Sequence, residues 1–228
     1  MLNFKILLIL PLLFCAPIFG ADSDLYKATV RINIQNRLKY DTPYRGTGTI
    51  IDVSDKALIV TAAHLFDHDK IENMLCSVDL FDYKDTPILD NTLRADIVHV
   101  NKMNDIAFLE FEYKNKPPHI KIASEFPRRT SDYMYPTIGC PLGRFPNLVR
   151  AQIICVNDNK SSEGLEPPLY KNYKLALYPH KGRSGGGLFD KNDRLIGILS
   201  YRFDIQKTSV FTSGATIAEE LKIFRNKK

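Results

Sequence analysis

Residues 182–188 read Gly-Arg-Ser-Gly-Gly-Gly-Leu, which places one serine, Ser184, inside a run of four glycines. Glycine adopts positive φ at little cost, so this stretch can form a tight turn whose backbone N–H groups point inward. In such a turn the N–H groups of Gly182 and Ser184 would form an oxyanion hole. A glycine-rich stretch with one serine is more often an ordinary loop, so its interpretation depends on the rest of the chain.

Two earlier segments supply the residue types that a nucleophilic serine needs. His64 follows the apolar run that begins at Ala57, and Asp105 immediately precedes the apolar run 106–109. A serine hydroxyl is a poor nucleophile at neutral pH unless an imidazole base lies within hydrogen-bond reach. The imidazole needs a buried carboxylate that fixes its tautomer and stabilises its charged form. The order His64, Asp105, Ser184 therefore predicts a catalytic triad, which requires no cofactor.

Short apolar stretches recur along the chain between Gly, Pro, Asn and Asp residues. Many are rich in Val, Ile, Thr, Tyr and Phe, which is typical of β-strands. Near the C-terminus, Ile217, Leu221 and Phe224 have helical spacing, whereas Glu219, Glu220 and Lys222 lie off that stripe. The pattern predicts an all-β fold of two six-stranded antiparallel β-barrels with a C-terminal helix. The predicted strands are 25–35, 46–52, 57–62, 74–82, 92–100, 105–111, 133–139, 149–156, 173–178, 186–190, 194–201 and 208–213.

The division of the chain follows from its polar stretches. Residues 114–131 contain prolines and several basic residues, and they are predicted to connect the two halves. We therefore expect the first barrel within residues 21–118, and the second barrel with the helix within residues 119–228. Residues 158–168 are predicted to form a mobile loop.

Several motifs around the three segments resemble those of trypsin/chymotrypsin-like serine peptidases. Gly46-Thr47-Gly48 resembles the family's strand before the histidine, and the stretch 138–143 resembles its G-Y-P-L-G turn, with Cys140 in place of tyrosine. The stretch 197–201 resembles the strand that lines the substrate groove, and 210–212 resembles the family's ending before a helix. The chain is most similar to the HtrA-like and glutamyl-endopeptidase-like bacterial branches. The resemblance implies a serine endopeptidase with His64 and Asp105 on the first barrel and Ser184 on the second.

The chain also departs from the family pattern. Arg183 stands before the serine, where trypsin-type enzymes have aspartate, and Gly187 stands where proline is common. Too few residues follow Tyr201 for a PDZ domain of the kind that HtrA proteins carry, so a stand-alone peptidase is expected. The sequence does not indicate an oligomeric state.

The resemblance also implies which residues bind the protein or peptide substrate. Ser200, Tyr201 and Arg202 are expected to form an edge strand that pairs with the substrate backbone. Tyr178 falls at the floor of the primary specificity pocket, which would then lack an acidic group for Lys or Arg. Arg202 falls at the pocket mouth, where a cation would favour acidic side chains or, by filling space, small ones. Alternatively, Arg202 points to solvent and Tyr178 only packs.

Residues 1–20 predict a secretory signal peptide, because Lys5 is followed by an apolar run and then by a breaker and small residues. The apolar run 6–19 is short for a spanning helix, and no later segment approaches the required length. We therefore expect a secreted or periplasmic protein with no membrane span in the mature chain. A net charge of +5 and short, scattered basic pieces argue against a nucleic-acid binder.

Three alternatives compete with an active serine peptidase. The fold could be an inactive one that serves as a protein-binding module. His64 and His68 have a metal-ligand spacing, but the zinc-peptidase pattern needs Glu where Leu65 stands, so no metal site is expected. Cys140 and Cys155 could serve a cysteine hydrolase or form one disulfide, although buried structural thiols are the better interpretation. His99, His119 and His180 are expected to be surface or turn residues.

Overall fold

The computed structural model describes residues 21–38, 43–67, 70–83, 86–123, 133–157 and 171–227. The predicted signal peptide, the 158–168 loop and the second part of the 114–131 connection lie outside these residues. Among the described residues, twelve strands lie between Thr29 and Ser213, as the apolar pattern predicted.

The first six strands close into one barrel in the order β1-β2-β3-β6-β5-β4, and all neighbours are antiparallel. Alternating side chains of these strands fill the interior with Val, Ile, Leu and Phe. The strands are β1 (Thr29–Asn36), β2 (Tyr44–Val53), β3 (Ala57–Thr61), β4 (Met74–Tyr83), β5 (Thr86–Asn101) and β6 (Ile106–Phe111).

The last six strands close into a second barrel in the order β10-β11-β12-β9-β8-β7, again antiparallel throughout. Its core includes Tyr173, Leu188 and Phe211. The strands are β7 (Met134–Gly139), β8 (Asn147–Asn157), β9 (Asn172–Leu175), β10 (Gly187–Phe189), β11 (Leu195–Phe203) and β12 (Thr208–Ser213). The predicted all-β fold of two six-stranded barrels is confirmed.

Two α-helices of the described residues flank the barrels. The helix α1 (Ala21–Lys27) corrects the predicted strand 25–35, which begins only at Thr29. The helix α2 (Gly214–Arg225) begins where the Ser213 hydroxyl accepts a hydrogen bond from the Thr216 amide, and it confirms the predicted C-terminal helix. Within the described residues, no helix is both long and apolar enough to cross a membrane.

A third apolar cluster joins the barrels to each other and to the helices. It combines Leu25 from α1, Phe108 from the first barrel, Ile198 from the second barrel and Phe224 from α2. The connection between the barrels crosses here, because the Ile120 amide bonds to Ile50 O, and residues 121–123 pair with Leu195. The shared core fixes the two barrels against each other and leaves a cleft between them. The predicted boundary between residues 118 and 119 stays a prediction.

Candidate active site

His64 and Asp105 lie together at one end of the first barrel. Strands β3 and β6 are paired with Thr61 opposite Ala107, so the turn after β3 lies beside the turn before β6. The Nδ1 atom of His64 is 3.0 Å from Asp105 Oδ2 and 3.2 Å from Oδ1. The backbone N–H of His64 also donates to Asp105 Oδ1 at 2.8 Å. One carboxylate therefore holds both the ring and the main chain of the histidine.

Ser200 approaches the same carboxylate from the second barrel. Its hydroxyl donates a hydrogen bond to Asp105 Oδ2. The β11–β12 register shifts between Leu199 and Tyr201, and such a bulge redirects a side chain. Ser200 was predicted to bind substrate, and its contact with Asp105 was not foreseen.

Ser184 faces His64 and Asp105 across one cavity of about 580 Å³. Within the described part of the chain, the Ser184 hydroxyl makes no hydrogen bond. Long nucleophile-to-base distances are common in substrate-free sites and shorten when substrate binds. The cavity is lined by His64, Asp67, Lys102, Asp105, Pro179, His180, Lys181, Ser184, Leu199, Ser200, Tyr201, Arg202 and Asp204.

The turn before Ser184 presents its backbone N–H groups. The Arg183 amide donates to His180 O at 3.4 Å, and Gly182 at the third position has φ 89°, as a type II turn requires. Lys181 O accepts from the Leu142 amide at 2.6 Å, so the N–H of the same trans peptide, on Gly182, points to the opposite side. Among the described residues, neither the Gly182 nor the Ser184 N–H has an acceptor. Two N–H groups presented in this way are able to stabilise a negatively charged oxygen.

Thr47 on β2 holds this turn from the first barrel. Its amide donates to Ser184 O, and its hydroxyl donates to Gly182 O, both at 2.8 Å. The hydroxyl also accepts from the Cys140 amide at 2.8 Å. A Cβ on Gly185, whose φ is 81°, would lie 2.2 Å from Thr47 O, so this close approach requires glycine. Sequence reasoning noted Thr47 only as part of a motif.

Arg183 anchors the turn to the second barrel. Its side chain is buried, and its guanidinium donates to Asn147 O, Asn147 Oδ1 and Thr137 O. These acceptors are neutral, and no ion pair with Arg183 occurs among the described residues. Burial lowers the pKa of Arg183 to about 10, because the charged form loses hydration. The guanidinium therefore remains charged at neutral pH.

The residues predicted to set specificity form a stacked group at one end of the cavity. Arg202 Nε lies 3.2 Å from Asp204 Oδ1, and the guanidinium lies over the Tyr178 ring at 5.3 Å. The Tyr178 hydroxyl donates to Asp204 at 2.9 Å, which raises the pKa of the phenol. Arg202 lines the cavity, whereas Tyr178 is not among the described lining residues. Tyr201 is half exposed and, like Arg202, pairs with β12.

The structure also places the residues of the alternatives. Burial raises the pKa of the Cys76 and Cys140 thiols to about 12, so neither is a thiolate at neutral pH. Cys155 is exposed, which corrects its expected burial, and the three cysteines among the described residues, Cys76, Cys140 and Cys155, are free rather than bridged.

No three His, Cys, Asp or Glu residues of the described ranges are grouped as metal ligands, and His68 lies outside those ranges. His119 and His180 are exposed. The prediction that His99 is a surface or turn residue is wrong, because it lies on β5 and its ring is bonded to the buried Glu220.

Three comparisons agree with this fold. Residues 46–198 match the family described as "Trypsin-like peptidase domain". A protein of Haemophilus influenzae named "Probable periplasmic serine protease do/HhoA-like" is 29% identical over 155 residues, which are 67% of this chain and 30% of that protein. The chain thus spans less than a third of that relative's length.

Solved structures share the fold at low identity. The active form of the Rv3671c protease from M. tuberculosis has a TM-score of 0.70 and 20% identity, over 89% of this chain and 83% of that one. The serine endoprotease from Yersinia pestis has a TM-score of 0.68 and 18% identity, over 90% of this chain and 66% of that one.

Proposed function

The chain belongs to the trypsin-like peptidase domain family, and from this membership we propose that it is a serine endopeptidase with the triad Ser184, His64 and Asp105. The observation that carries the proposal is the His64–Asp105 pair facing Ser184 across one cavity. The free N–H groups of the Gly182 turn add support. These three residues are the ones that the sequence predicts as the triad.

The mechanism follows from the roles that these groups can fill. Ser184 Oγ attacks the carbonyl carbon of the scissile bond while His64 Nε2 takes the hydroxyl proton. Asp105 holds the Nδ1–H and stabilises the imidazolium, and the N–H groups of Gly182 and Ser184 stabilise the oxyanion. The C–N bond then breaks as His64 protonates the leaving amine, which leaves an acyl-enzyme. Water then attacks the acyl carbon while His64 takes one of its protons. The bond from this carbon to Ser184 Oγ breaks as His64 returns the proton to that oxygen, which releases the acid and restores Ser184.

The substrate backbone would pair with the Ser200–Arg202 strand. The pairing of β10 with β11 reaches only to Ile198, with two further bonds at Leu199, so the strand continues into the cavity beyond its β10 partner. An extended peptide that adds to this strand passes next to Ser184.

Covalent labelling distinguishes this function from a binding module with a dead site. A fluorophosphonate should label the wild-type protein at Ser184, and casein should be cleaved. Ser184→Ala should abolish both while the protein still folds, and His64→Ala should be nearly as inactive, because the triad acts as a unit. Casein cleavage by Ser184→Ala at the wild-type rate would overturn the mechanism. A wild-type protein that is neither labelled nor active would favour the binding module.

For specificity we propose weak or no cleavage after Lys and Arg, and better cleavage after small or acidic residues. Arg202 brings a cation to the cavity, although its charge is shared with Asp204. Otherwise identical peptides with Glu, Ala, Leu or Lys before the scissile bond test this. Asp204→Asn keeps an acceptor for Tyr178 but releases Arg202, so it should raise cleavage after Glu about fivefold relative to Leu. Fastest cleavage after Lys would refute the proposal.

The site of action that we propose is the periplasm or the extracellular space. The support is the signal-like pattern of residues 1–20 and the name of the Haemophilus influenzae relative, which calls that protein periplasmic. N-terminal sequencing of the protein exported by a bacterial host tests it. An exported protein that begins close to Ala21 is expected. A protein that stays in the cytoplasm with residues 1–20 still attached would contradict the proposal.

A further inference from the structure

We propose that Glu220 of α2 is a positioning residue for Asp105, acting through the Asn101–Asn104 turn. The inference rests on the proposed function, because it assigns Asp105 to the triad. Glu220 touches neither the cavity nor the three triad residues.

The carboxylate of Glu220 is buried, with 2% of the residue exposed, and it meets three nitrogen atoms. Its Oε2 accepts from the side-chain amides of Asn101 and Asn104, both at 2.9 Å. Its Oε1 lies 2.6 Å from His99 Nε2. A buried carboxylate with these partners is fully engaged, and removing it would leave two amide groups without their acceptor.

The turn that Glu220 holds carries Asp105 in a strained conformation. Asp105 has φ 49°, a left-handed value that is unfavourable for a residue with a Cβ, so its surroundings must hold it. Asn104 directly precedes Asp105, and the backbone N–H of Asn104 donates a hydrogen bond to Asn101 Oδ1 at 3.2 Å. Thr212 on β12 adds a hydrogen bond to Asn104 O. With both asparagines tied to Glu220, the direction in which Asp105 leaves the turn is fixed.

The helix that carries Glu220 is itself firmly attached. Ile217 and Phe224 of α2 are buried, and the Phe224 ring lies 5.5 Å from the Phe108 ring. His99 stacks on Phe108 at 5.5 Å. Glu220 thus transmits the position of a packed helix to the turn before β6.

Substitution with methionine and with glutamine separates positioning from packing. Glu220→Met keeps the chain length but removes both acceptors. Glu220→Gln keeps one carbonyl oxygen for the two asparagines, and its NH2 group can donate to neutral His99. Glu219→Met is the matched control, because Glu219 is the exposed neighbour on the same helix.

The kinetic test is a double-mutant cycle with Asp105→Ala. Glu220→Met should lower kcat at least tenfold with KM within twofold, Glu220→Gln should stay within threefold of wild type, and Glu219→Met should be unchanged. The cycle itself uses the rate of fluorophosphonate labelling, which Glu220→Met should lower at least tenfold in the wild-type background and less than twofold in the Asp105→Ala background. An equal loss in both backgrounds would mean general damage and would overturn the proposal.

A second readout needs no turnover. The hydrogen-bonded Nδ1 proton of His64, assigned by its loss in His64→Ala, should appear at low field in the NMR spectrum of wild type, Glu220→Gln and Glu219→Met. It should broaden or vanish in Glu220→Met and, should that variant not fold, in Asn104→Ala. An unchanged signal in the folded variant overturns the positioning role. A wild-type protein that no fluorophosphonate labels defeats the proposed function instead.

Discussion

Two buried charges support the two turns of the cleft, and they do so with different partners. Glu220 holds the Asp105 turn and accepts hydrogen bonds from side chains of the first barrel. Arg183 holds the Gly182 turn and donates to the oxygens of Asn147 and Thr137. Both residues are almost fully buried. Glu220 therefore joins the helix α2 to the first barrel, whereas Arg183 joins two parts of the second barrel.

Each turn is also held by an element outside its own barrel, but not by the same kind of group. The Asp105 turn belongs to the first barrel and is held by α2, which follows the second. The Ser184 turn belongs to the second barrel and is held by Thr47 of the first. A displacement of one barrel would therefore disturb both turns, which links the packed interface to the geometry of the site.

The largest expected effect comes from removing the Arg183 guanidinium. Arg183→Met leaves the Thr137 and Asn147 oxygens without their donor and frees the turn that presents the Gly182 N–H. Because loss of one oxyanion-hole donor costs about 10²–10³-fold in kcat, a loss of about 100-fold with little change in KM is expected from peptide-cleavage kinetics.

Arg194→Met is the control for that change, since the partly exposed Arg194 side chain pairs with Asp190 and makes no described contact with the turn. Wild-type kcat in a folded Arg183→Met protein would show that the guanidinium does not hold the turn. Of the two buried charges, only Glu220 would then act on the active site.

A smaller effect is expected from the neutral support. Thr47→Val keeps the side-chain shape and the hydrogen bond from the backbone N–H of residue 47 to Ser184 O. It removes the hydroxyl that donates to Gly182 O and accepts from the Cys140 backbone N–H. We expect a roughly tenfold loss of kcat and a loss of about 1–3 kcal/mol in the free energy of unfolding, from buried groups left unpaired.

Thr49 supplies the matched control two residues along the same strand. Its hydroxyl is buried and has no hydrogen-bond partner within the described structure. Thr49→Val should therefore leave activity unchanged and leave stability unchanged or raised, as measured by urea unfolding. Equal effects of the two substitutions would mean that Thr47 acts by packing alone.

These supports mark the boundary of what the sequence could predict. Strand alternation is a local pattern and predicted the barrels, whereas the order of His64, Asp105 and Ser184, three residue types that one chemistry needs together, predicted which residues share the cleft. Glu220 lies off the apolar stripe, and His99 is expected from the sequence to be a surface or turn residue, so the sequence predicts no contact between them. Their bond joins residues 121 positions apart, so no local pattern could reveal it. The α1 helix was missed because its buried Leu25 and Tyr26 continue the apolar run of β1.

The smallest expected effect concerns the N-terminus and tests whether Arg183 makes the cleft independent of it. In trypsin-like zymogens a freed terminal amine pairs with an aspartate before the nucleophile, but an ammonium would be repelled by Arg183. Here the N-terminal helix attaches through side chains, since buried Leu25 packs in the shared core and the Tyr26 hydroxyl accepts from the Leu148 amide at 3.2 Å.

Proteins that begin at Ala21, Asp22 or Asp24, or carry an extra N-terminal Gly-Ser, should agree in kcat/KM within twofold. Deletion through Lys27 should instead lower the melting temperature, because it removes buried apolar surface. A tenfold loss of kcat/KM on adding two residues, about 1.4 kcal/mol of barrier, would show that the terminus takes part and that the bonds of Arg183 are insufficient to order the turn.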